Sequence, residues 1–164
     1  CVVRLGELKD SSLVARRIGA IPMVTCASPE YLERHGMPMN LEDLDQHRAV
    51  NFFTGRERKV VHWAFRVENT TVTLKLRSGI MTNESEALLA CGLAGLGLLQ
   101  GVRPALQPYL DKGLLIQVLA DYPALPKPVS ILYPSRSHLA PKVRVFMDWL
   151  TELLDQQHLT SADC

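Results

Sequence analysis

The order of apolar and polar positions along this chain predicts strands that alternate with helices. Val72, Leu74 and Leu76 alternate with polar residues, as in a strand that buries one face. Near the end of the sequence, apolar residues recur at helical spacing between Pro141 and Gln156. Strands that alternate with helices are typical of an α/β fold with a mixed or parallel sheet.

The same patterns, together with turn residues, predict the remaining elements. Further strands are expected at Val2–Leu5 (buried), Ala49–Phe53, His62–Val67, Leu114–Leu119 and Val129–Tyr133. Ile18–Ala27 is expected to be an apolar, extended connection. Further helices are expected to start at Ser28-Pro29-Glu30, at Asn40 and at Arg103. The segment Asp121–Pro128 holds three prolines and is expected to be irregular. Leu150 lies in the middle of the last apolar stripe, so Leu150→Ala is expected to cost roughly 2–4 kcal/mol.

The stretch from Arg77 to Gly101 reads as a strand end, a capped helix, a glycine turn and an apolar strand. Asn83 is predicted to cap the helix, and Glu86 stands at the spacing of a capping box. A helix that starts after a strand leaves backbone N–H groups for an anion or a polar ligand. Thr82 and Asn83 are therefore either ligand-binding residues or merely caps, and the sequence leaves both interpretations open.

Composition and charge exclude several classes of protein. The chain has 164 residues, 47% of them hydrophobic and 21% charged, as in an ordinary globular protein. Its formal net charge of +1 offers no strong field for a polyanion. Four cysteines have neither CxxC nor Cys/His metal spacing, which favours a reducing cytoplasm. No apolar run is as long as a membrane span, and no signal peptide is evident.

Catalytic and cofactor motifs are not evident in the sequence. There is no G-x-S-x-G nucleophile elbow, and the five histidines are scattered over unrelated elements. GLAGLG ends a helix, whereas a dinucleotide-binding loop begins one. We therefore expect no enzyme activity, no cofactor and no metal.

Three short groups of residues remain as candidates for binding a small molecule. Arg4 and Gly6 lie at the carboxyl end of the first strand, where ligands tend to bind in open α/β folds. Thr82 and Asn83 form the helix start described above, and Ser135, with Arg136 beside it, follows the strand that ends at Tyr133. An arginine and a helix N-terminus together would suit a carboxylate. Arg4 could equally form a salt bridge, and Ser135 a polar turn.

Five ordered blocks of the sequence closely resemble the effector-binding domain of LysR-type transcriptional regulators. They are RLGELKDSSLVARRIG, CASPEYLERHGMPMNLEDLDQH, NESEALLACGLAGLGLL, LDKGLLIQVLADYP and VSILYPSRSHLAPKVRVFMDWLTELL. Together they cover nearly the whole chain in the order and spacing of the family. No single block is decisive, but five in order make a chance similarity improbable.

This resemblance implies a bilobal α/β fold like that of type 2 periplasmic binding proteins, with two lobes linked by two crossover segments. By carry-over, residues 1–24 and 123–158 form part of the first lobe. Residues 25–122 form the second lobe, and residues 159–164 form a C-terminal tail. The chain begins without Met, and the family has a further strand–helix–strand–helix unit of the first lobe upstream. We therefore expect this sequence to be a fragment truncated on its N-terminal side.

The function implied by the resemblance is that of a sensor. The domain would bind a small-molecule effector, such as a carboxylate, between its lobes through Arg4, Gly6, Thr82, Asn83 and Ser135, and so modulate transcription. The full-length protein would form a homodimer or homotetramer, without a membrane partner, and would bind DNA only through an N-terminal winged helix-turn-helix. The alternatives left open are another bilobal small-molecule-binding protein, an enzyme on the same fold, or an interaction domain with no ligand.

Overall fold

The fold is taken from a computed structural model, which describes residues 1–6, 13–134 and 141–156. The helices of these ranges are α1 (Pro29–His35), α2 (Ser85–Leu93), α3 (Arg103–Asp111) and α4 (Pro141–Gln156), with a 3-10 helix at Glu42–Gln46. The strands are β1 (Val2–Leu5), β2 (Val14–Ile21), β3 (Met23–Ala27), β4 (Ala49–Thr54), β5 (Lys59–Val60), β6 (Trp63–Val67), β7 (Thr70–Leu74), β8 (Ser78–Thr82), β9 (Leu99–Val102), β10 (Ile116–Gln117) and β11 (Lys127–Tyr133). The expected mixed α/β class is confirmed.

The chain divides into two compact units. Unit 1 consists of Cys1–Pro22 and Pro126–Cys164, and unit 2 consists of Met23–Leu125. The chain therefore passes from one unit to the other twice. Each unit has its own sheets and its own buried core.

Unit 1 is an antiparallel sheet of order β1-β11-β2, with α4 packed on β2. Its core consists of Ile18, Val129, Ile131, Met147 and Leu154. Helix α4 has the bounds that the apolar spacing predicts. The apolar stripe of this helix places Met147 and Leu154 in the core against the sheet. The apolar face of one long helix thus covers the β2–β11 part of this sheet.

The prediction of a buried first strand is wrong. β1 forms and pairs with β11, but Val2, Val3 and Leu5 are 53%, 44% and 46% exposed. The register places Val3 opposite Ile131 and Leu5 opposite Val129, which belong to the core. No residue of β1 belongs to that core, because α4 packs on β2, the strand at the opposite edge of the sheet. An apolar sequence therefore forms an exposed edge strand here.

Leu150 is only partly buried, so the expected cost of Leu150→Ala falls below the range that its sequence position indicates. We now expect a loss of about 1–2 kcal/mol, roughly half the value for a fully buried leucine. Leu153→Ala on the same helix is the matched control, because Leu153 is 37% exposed. Urea unfolding of both variants should show the larger loss at Leu150. A larger loss at Leu153 would show that the face of α4 that carries Leu153, and not the face that carries Leu150, packs on the sheet.

Unit 2 contains two three-stranded sheets and a hairpin. One sheet has the order β10-β3-β9 and is antiparallel, and the other has the order β5-β4-β8, in which β4 and β8 are parallel. The hairpin β6–β7 turns at Glu68, which has a positive φ of 53°. The buried residues form two clusters, one around Tyr31, Trp63 and Phe65 and one around Leu99 and Leu106.

Local signals explain the start of α1 and of the 3-10 helix. Ser28 accepts a hydrogen bond from Tyr31 N at 3.2 Å, and Pro29 opens α1 as predicted. At the 3-10 helix, Asn40 Oδ1 accepts the N–H groups of Glu42 and Asp43 at 2.9 and 3.0 Å. Asp43 Oδ2 accepts the Asn40 N–H at 3.1 Å in return. This reciprocal pair fixes the start of the 3-10 helix.

Two predicted boundaries need correction. The strand expected over Leu114–Leu119 is limited to β10, because only Ile116 and Gln117 pair with β3. The irregular segment expected up to Pro128 ends earlier, since Lys127 and Pro128 already belong to β11. Pro128 has no N–H to donate, but its carbonyl accepts the Gly6 N–H at 2.8 Å. A proline at the beginning of a strand therefore still contributes to this sheet.

Candidate functional site

The candidate residues Thr82 and Asn83 lie at the junction of β8 and α2 in unit 2. Thr82 is the last residue of β8 and stands opposite Phe52 of the parallel strand β4. Its hydroxyl oxygen accepts the Glu84 N–H at 3.1 Å. Thr82 is partly exposed and Asn83 is exposed, so both side chains are accessible to a ligand within this unit.

The prediction that Asn83 caps α2 in a capping box with Glu86 is wrong. The N-cap residue is Glu84, with extended backbone angles of −114° and 129°, and its side chain makes no capping hydrogen bond. The pairing of β8 with β4 keeps the chain extended through Thr82, and the helix starts later than the sequence indicates, at Ser85. Asn83 is thus released from a capping role, while the Thr82 hydroxyl orders the turn before the helix.

The β8–α2 junction combines the positive end of a helix dipole with two carboxylate side chains. The first N–H groups of a helix point away from its body, and the helix dipole places partial positive charge there. Glu84 and Glu86 are exposed carboxylates at the same helix end. A bound anion would therefore interact with backbone N–H groups and with the Thr82 hydroxyl, and would have to lie away from these two carboxylates.

Arg4 and Gly6 lie at the carboxyl end of β1 in unit 1. Arg4 is exposed, and the register places it opposite Ser130, which is only 4% exposed. Gly6 has a φ of 94°, a conformation that favours glycine, and an added Cβ there would meet nothing within 4 Å. Its N–H bond to Pro128 fixes the end of β1. Ser135, with Arg136 beside it, lies outside the described residues.

A shallow, open depression of about 350 Å³, called the α3–β10 cavity below, lies elsewhere in unit 2, and the sequence did not predict it. Arg103 donates to Gln117 Oε1 at 2.8 Å and to Gln107 Oε1 at 3.4 Å, and Gln107 donates to Asp111 at 2.8 Å. These four polar side chains line the cavity together with Leu110, Leu115 and Ile116. The spacing of Arg103, Gln107 and Asp111, four residues apart on α3, was the available signal.

The pKa of one cysteine is shifted strongly by its burial. Burial raises the pKa of the Cys26 thiol to about 12, so the thiol stays protonated and is a poor nucleophile. In the part of the chain that the structure describes, no three His, Cys, Asp or Glu side chains come together as metal ligands. Within the same ranges, no helix has the length and apolar content needed to cross a membrane.

Sequence comparison finds regulators of transcription. The 'HTH-type transcriptional regulator YhjC' of Escherichia coli K12, which is uncharacterized, is 39% identical over 159 residues, or 95% of this chain and 52% of that protein. The HTH-type transcriptional activator AaeR of the same organism is 32% identical over 92% of this chain and 48% of its own length. This chain therefore spans about half the length of the curated relatives that it matches.

Solved structures agree with the sequence comparison. The regulatory domain of CrgA, a LysR-type transcriptional regulator from Neisseria meningitidis, has a TM-score of 0.73 and 30% identity, over 93% of this chain and 74% of that chain. Full-length AphB, the Vibrio cholerae virulence activator, has a TM-score of 0.73 and 29% identity, over 92% of this chain and 50% of its own. The family model of the LysR substrate binding domain matches residues 1–155. The chain belongs to the LysR substrate binding domain family.

Proposed function

We propose that this chain senses a small-molecule effector on behalf of a LysR-type transcriptional regulator. The observation that carries the proposal is the β8–α2 junction. There the N-terminus of α2 offers backbone N–H donors to a polar ligand in a chain of this family. The partly exposed Thr82 hydroxyl, whose hydrogen is directed at Glu84 O over a long 3.4 Å, can turn that hydrogen to the same ligand.

A small carboxylate is the effector class that we propose. A carboxylate accepts hydrogen bonds from helix N–H groups, and an arginine can bind both of its oxygens. Thr82 and Asn83 are the contacts that we propose in unit 2. Arg4 and Gly6 are candidate contacts of unit 1, taken by itself. The guanidinium of Arg4 is exposed, which supports this role.

Effector binding would act on transcription through a shift between conformations. A ligand changes such an equilibrium only by its differential affinity for the two states. We propose that the full-length protein is a cytoplasmic homodimer or homotetramer that binds DNA through a winged helix-turn-helix outside this chain. The net charge of +1 supports the assignment of DNA binding to another part of the protein. The proposal assigns no catalytic step to the chain, which is supported by the buried, protonated Cys26 thiol.

A thermal-unfolding screen tests the proposal. The purified protein is heated with individual small carboxylates, such as benzoate and succinate, with amino acids, and with uncharged analogues of the same size. A ligand that binds only the folded state at a hundred times its dissociation constant adds about 2.7 kcal/mol of stability. We expect at least one carboxylate to raise the midpoint, and its amide analogue to raise it less.

Thr82→Ala is expected to weaken binding of the carboxylate identified in this way by about three- to tenfold, the equivalent of one hydrogen bond. Thr70→Ala is the matched control, because Thr70 is an exposed threonine of the same unit whose hydroxyl donates to Val67 O at 3.0 Å. Calorimetric titration measures affinity, and urea unfolding measures stability in parallel. If both variants bind as tightly as the parent, Thr82 only orders the turn before α2.

A further inference from the structure

A buried tyrosine and a buried histidine join α1 to the start of β4 in unit 2. The Tyr31 side chain on α1 is 2% exposed, and His47, between the 3-10 helix and β4, is 6% exposed. His47 Nδ1 lies 3.1 Å from the Tyr31 hydroxyl oxygen. The same oxygen accepts the Arg48 N–H at 3.0 Å. One phenol therefore holds two segments that are distant in sequence.

The hydrogen-bond distances around the phenol favour a neutral His47. Since the Tyr31 oxygen accepts from Arg48, its own hydrogen can go to His47 Nδ1 at 3.1 Å or to Arg48 O at 3.4 Å. Arg48 O already accepts the Leu98 N–H at 2.9 Å. We assign the phenol hydrogen to Nδ1, which makes His47 a neutral imidazole with its proton on Nε2.

Burial, helped by one of the two charged groups nearby, favours the neutral form of His47. On α1, the His35 ring lies 4.5 Å from the Tyr31 ring, between their centroids. On the 3-10 helix, Asp43 opposes the effect of His35. Burial, and after it the charge of His35, lowers the pKa of His47, while Asp43 raises it by less. Taking up a proton at His47 is therefore costly in the folded state.

We propose that His47 is an acid-sensitive lock on unit 2. A protonated ring can only donate to the Tyr31 oxygen, so the phenol hydrogen must turn to Arg48 O, a longer contact at 3.4 Å to a carbonyl that the Leu98 N–H already uses. The direction in which the stability changes with pH follows from the difference between the pKa of His47 in the folded and in the unfolded state. A histidine whose folded pKa is lowered gives full stability above its unfolded pKa, about 6.5, and the stability is lost as the pH falls through the folded pKa. This inference concerns the stability of unit 2 and does not depend on which molecule the domain binds.

Weaker hydrogen bonding between Tyr31, His47 and Arg48 would loosen the N-terminal end of β4. Arg48 O accepts the Leu98 N–H, just before β9. Ala49, which follows Arg48, donates its N–H to Arg77 O at 2.9 Å, just before β8. The Tyr31–His47 pair thus lies one residue from the point where β4 meets the segments that precede β8 and β9. Mild acid should weaken this junction before it affects the core of unit 1.

The two tryptophans of the chain allow unit 2 to be observed separately. Trp63 is 3% exposed and belongs to the same core cluster as Tyr31, whereas Trp149 is on α4 and 54% exposed. In a Trp149→Phe background, urea unfolding followed by tryptophan fluorescence reports on unit 2. The parent midpoint should fall between about pH 7.5 and about pH 5.5, a range that spans the ordinary histidine pKa.

His47→Asn is the decisive variant, since asparagine keeps an acceptor near the position of Nδ1 but does not titrate. Its midpoint should be lower than that of the parent at neutral pH, but it should fall by less than half as much on acidification. The control is His62→Asn, a change at an exposed histidine of unit 2, which should keep the full acid shift. An acid shift in His47→Asn equal to that of the parent would overturn the proposal.

A second variant and a direct titration keep the test decisive if His47→Asn does not fold. His35→Gln removes the charge that faces His47, so its acid shift should be smaller than that of the parent. An NMR titration of the parent should give the His47 ring a midpoint below about 6.5. A midpoint at or above that value, or an unchanged acid shift in His35→Gln, would contradict the lock.

Discussion

Phe65→Ala is expected to lower the free energy of unfolding by about 3–5 kcal/mol, the cost of removing a buried aromatic ring. Phe65 on β6 is 0% exposed, and its ring lies 6.4 Å from the Trp63 ring, between their centroids. Its backbone forms a bridge with Ala124, close to the end of unit 2. Removing the ring would leave a cavity in the core of the larger unit, and the surrounding residues could move in to fill it only in part.

Urea unfolding measures this loss, and Phe146→Ala is the matched control. Phe146 is also a phenylalanine, but it lies on α4, is 37% exposed and packs beside Trp149. Its truncation should cost clearly less than that of Phe65. Equal losses for the two variants would show that Phe65 does not occupy the core position assigned to it.

Gly97→Ala is expected to cost about 2–4 kcal/mol, because the added methyl group would collide with backbone and strain a hydrogen bond. An ideal Cβ at this residue would lie 2.7 Å from Arg48 O and 3.3 Å from the carbonyl carbon of Ala49. The Leu98 N–H bond to Arg48 O holds these segments together, so they cannot separate cheaply. Glycine is required here by close approach of two backbone segments.

Gly79→Ala provides the comparison for this position. Gly79 lies on β8 beside the same Arg48, but an added Cβ would meet its side chain at an ordinary 3.6 Å. This substitution should be near neutral, or stabilise slightly by restricting the unfolded chain. Denaturant midpoints for the two alanine variants should therefore differ widely, and similar midpoints would contradict the close approach at Gly97.

Local signals made much of the fold predictable. Ser28 and Pro29 start α1, and the apolar spacing from Pro141 to Gln156 gives the bounds of α4, because caps and periodicity act over a few residues. The burial of β1 was not predictable in this way. Whether Val3 or Leu5 is covered depends on where α4 packs, and α4 lies far away in the sequence.

The candidate site was predictable in position but not in detail. The sequence placed Thr82 at a strand-to-helix junction, but the pairing of β8 with β4 moved the cap from Asn83 to Glu84. The Tyr31–His47 pair was not predictable, because its members lie sixteen positions apart in the sequence. No local pattern shows that a histidine after a 3-10 helix will face a tyrosine of the preceding helix, since tertiary packing alone brings them together.

Backbone amide NMR with the carboxylate found in the thermal screen tests the central claim most directly. We expect the largest chemical-shift changes in unit 2 at the N–H groups of Thr82, Asn83 and Glu84, which lead into α2. The α3–β10 cavity is the internal control, because it offers polar side chains at a different part of the surface of the same unit. Changes confined to Arg103 and Gln117, with the β8–α2 junction unaffected, would contradict the account.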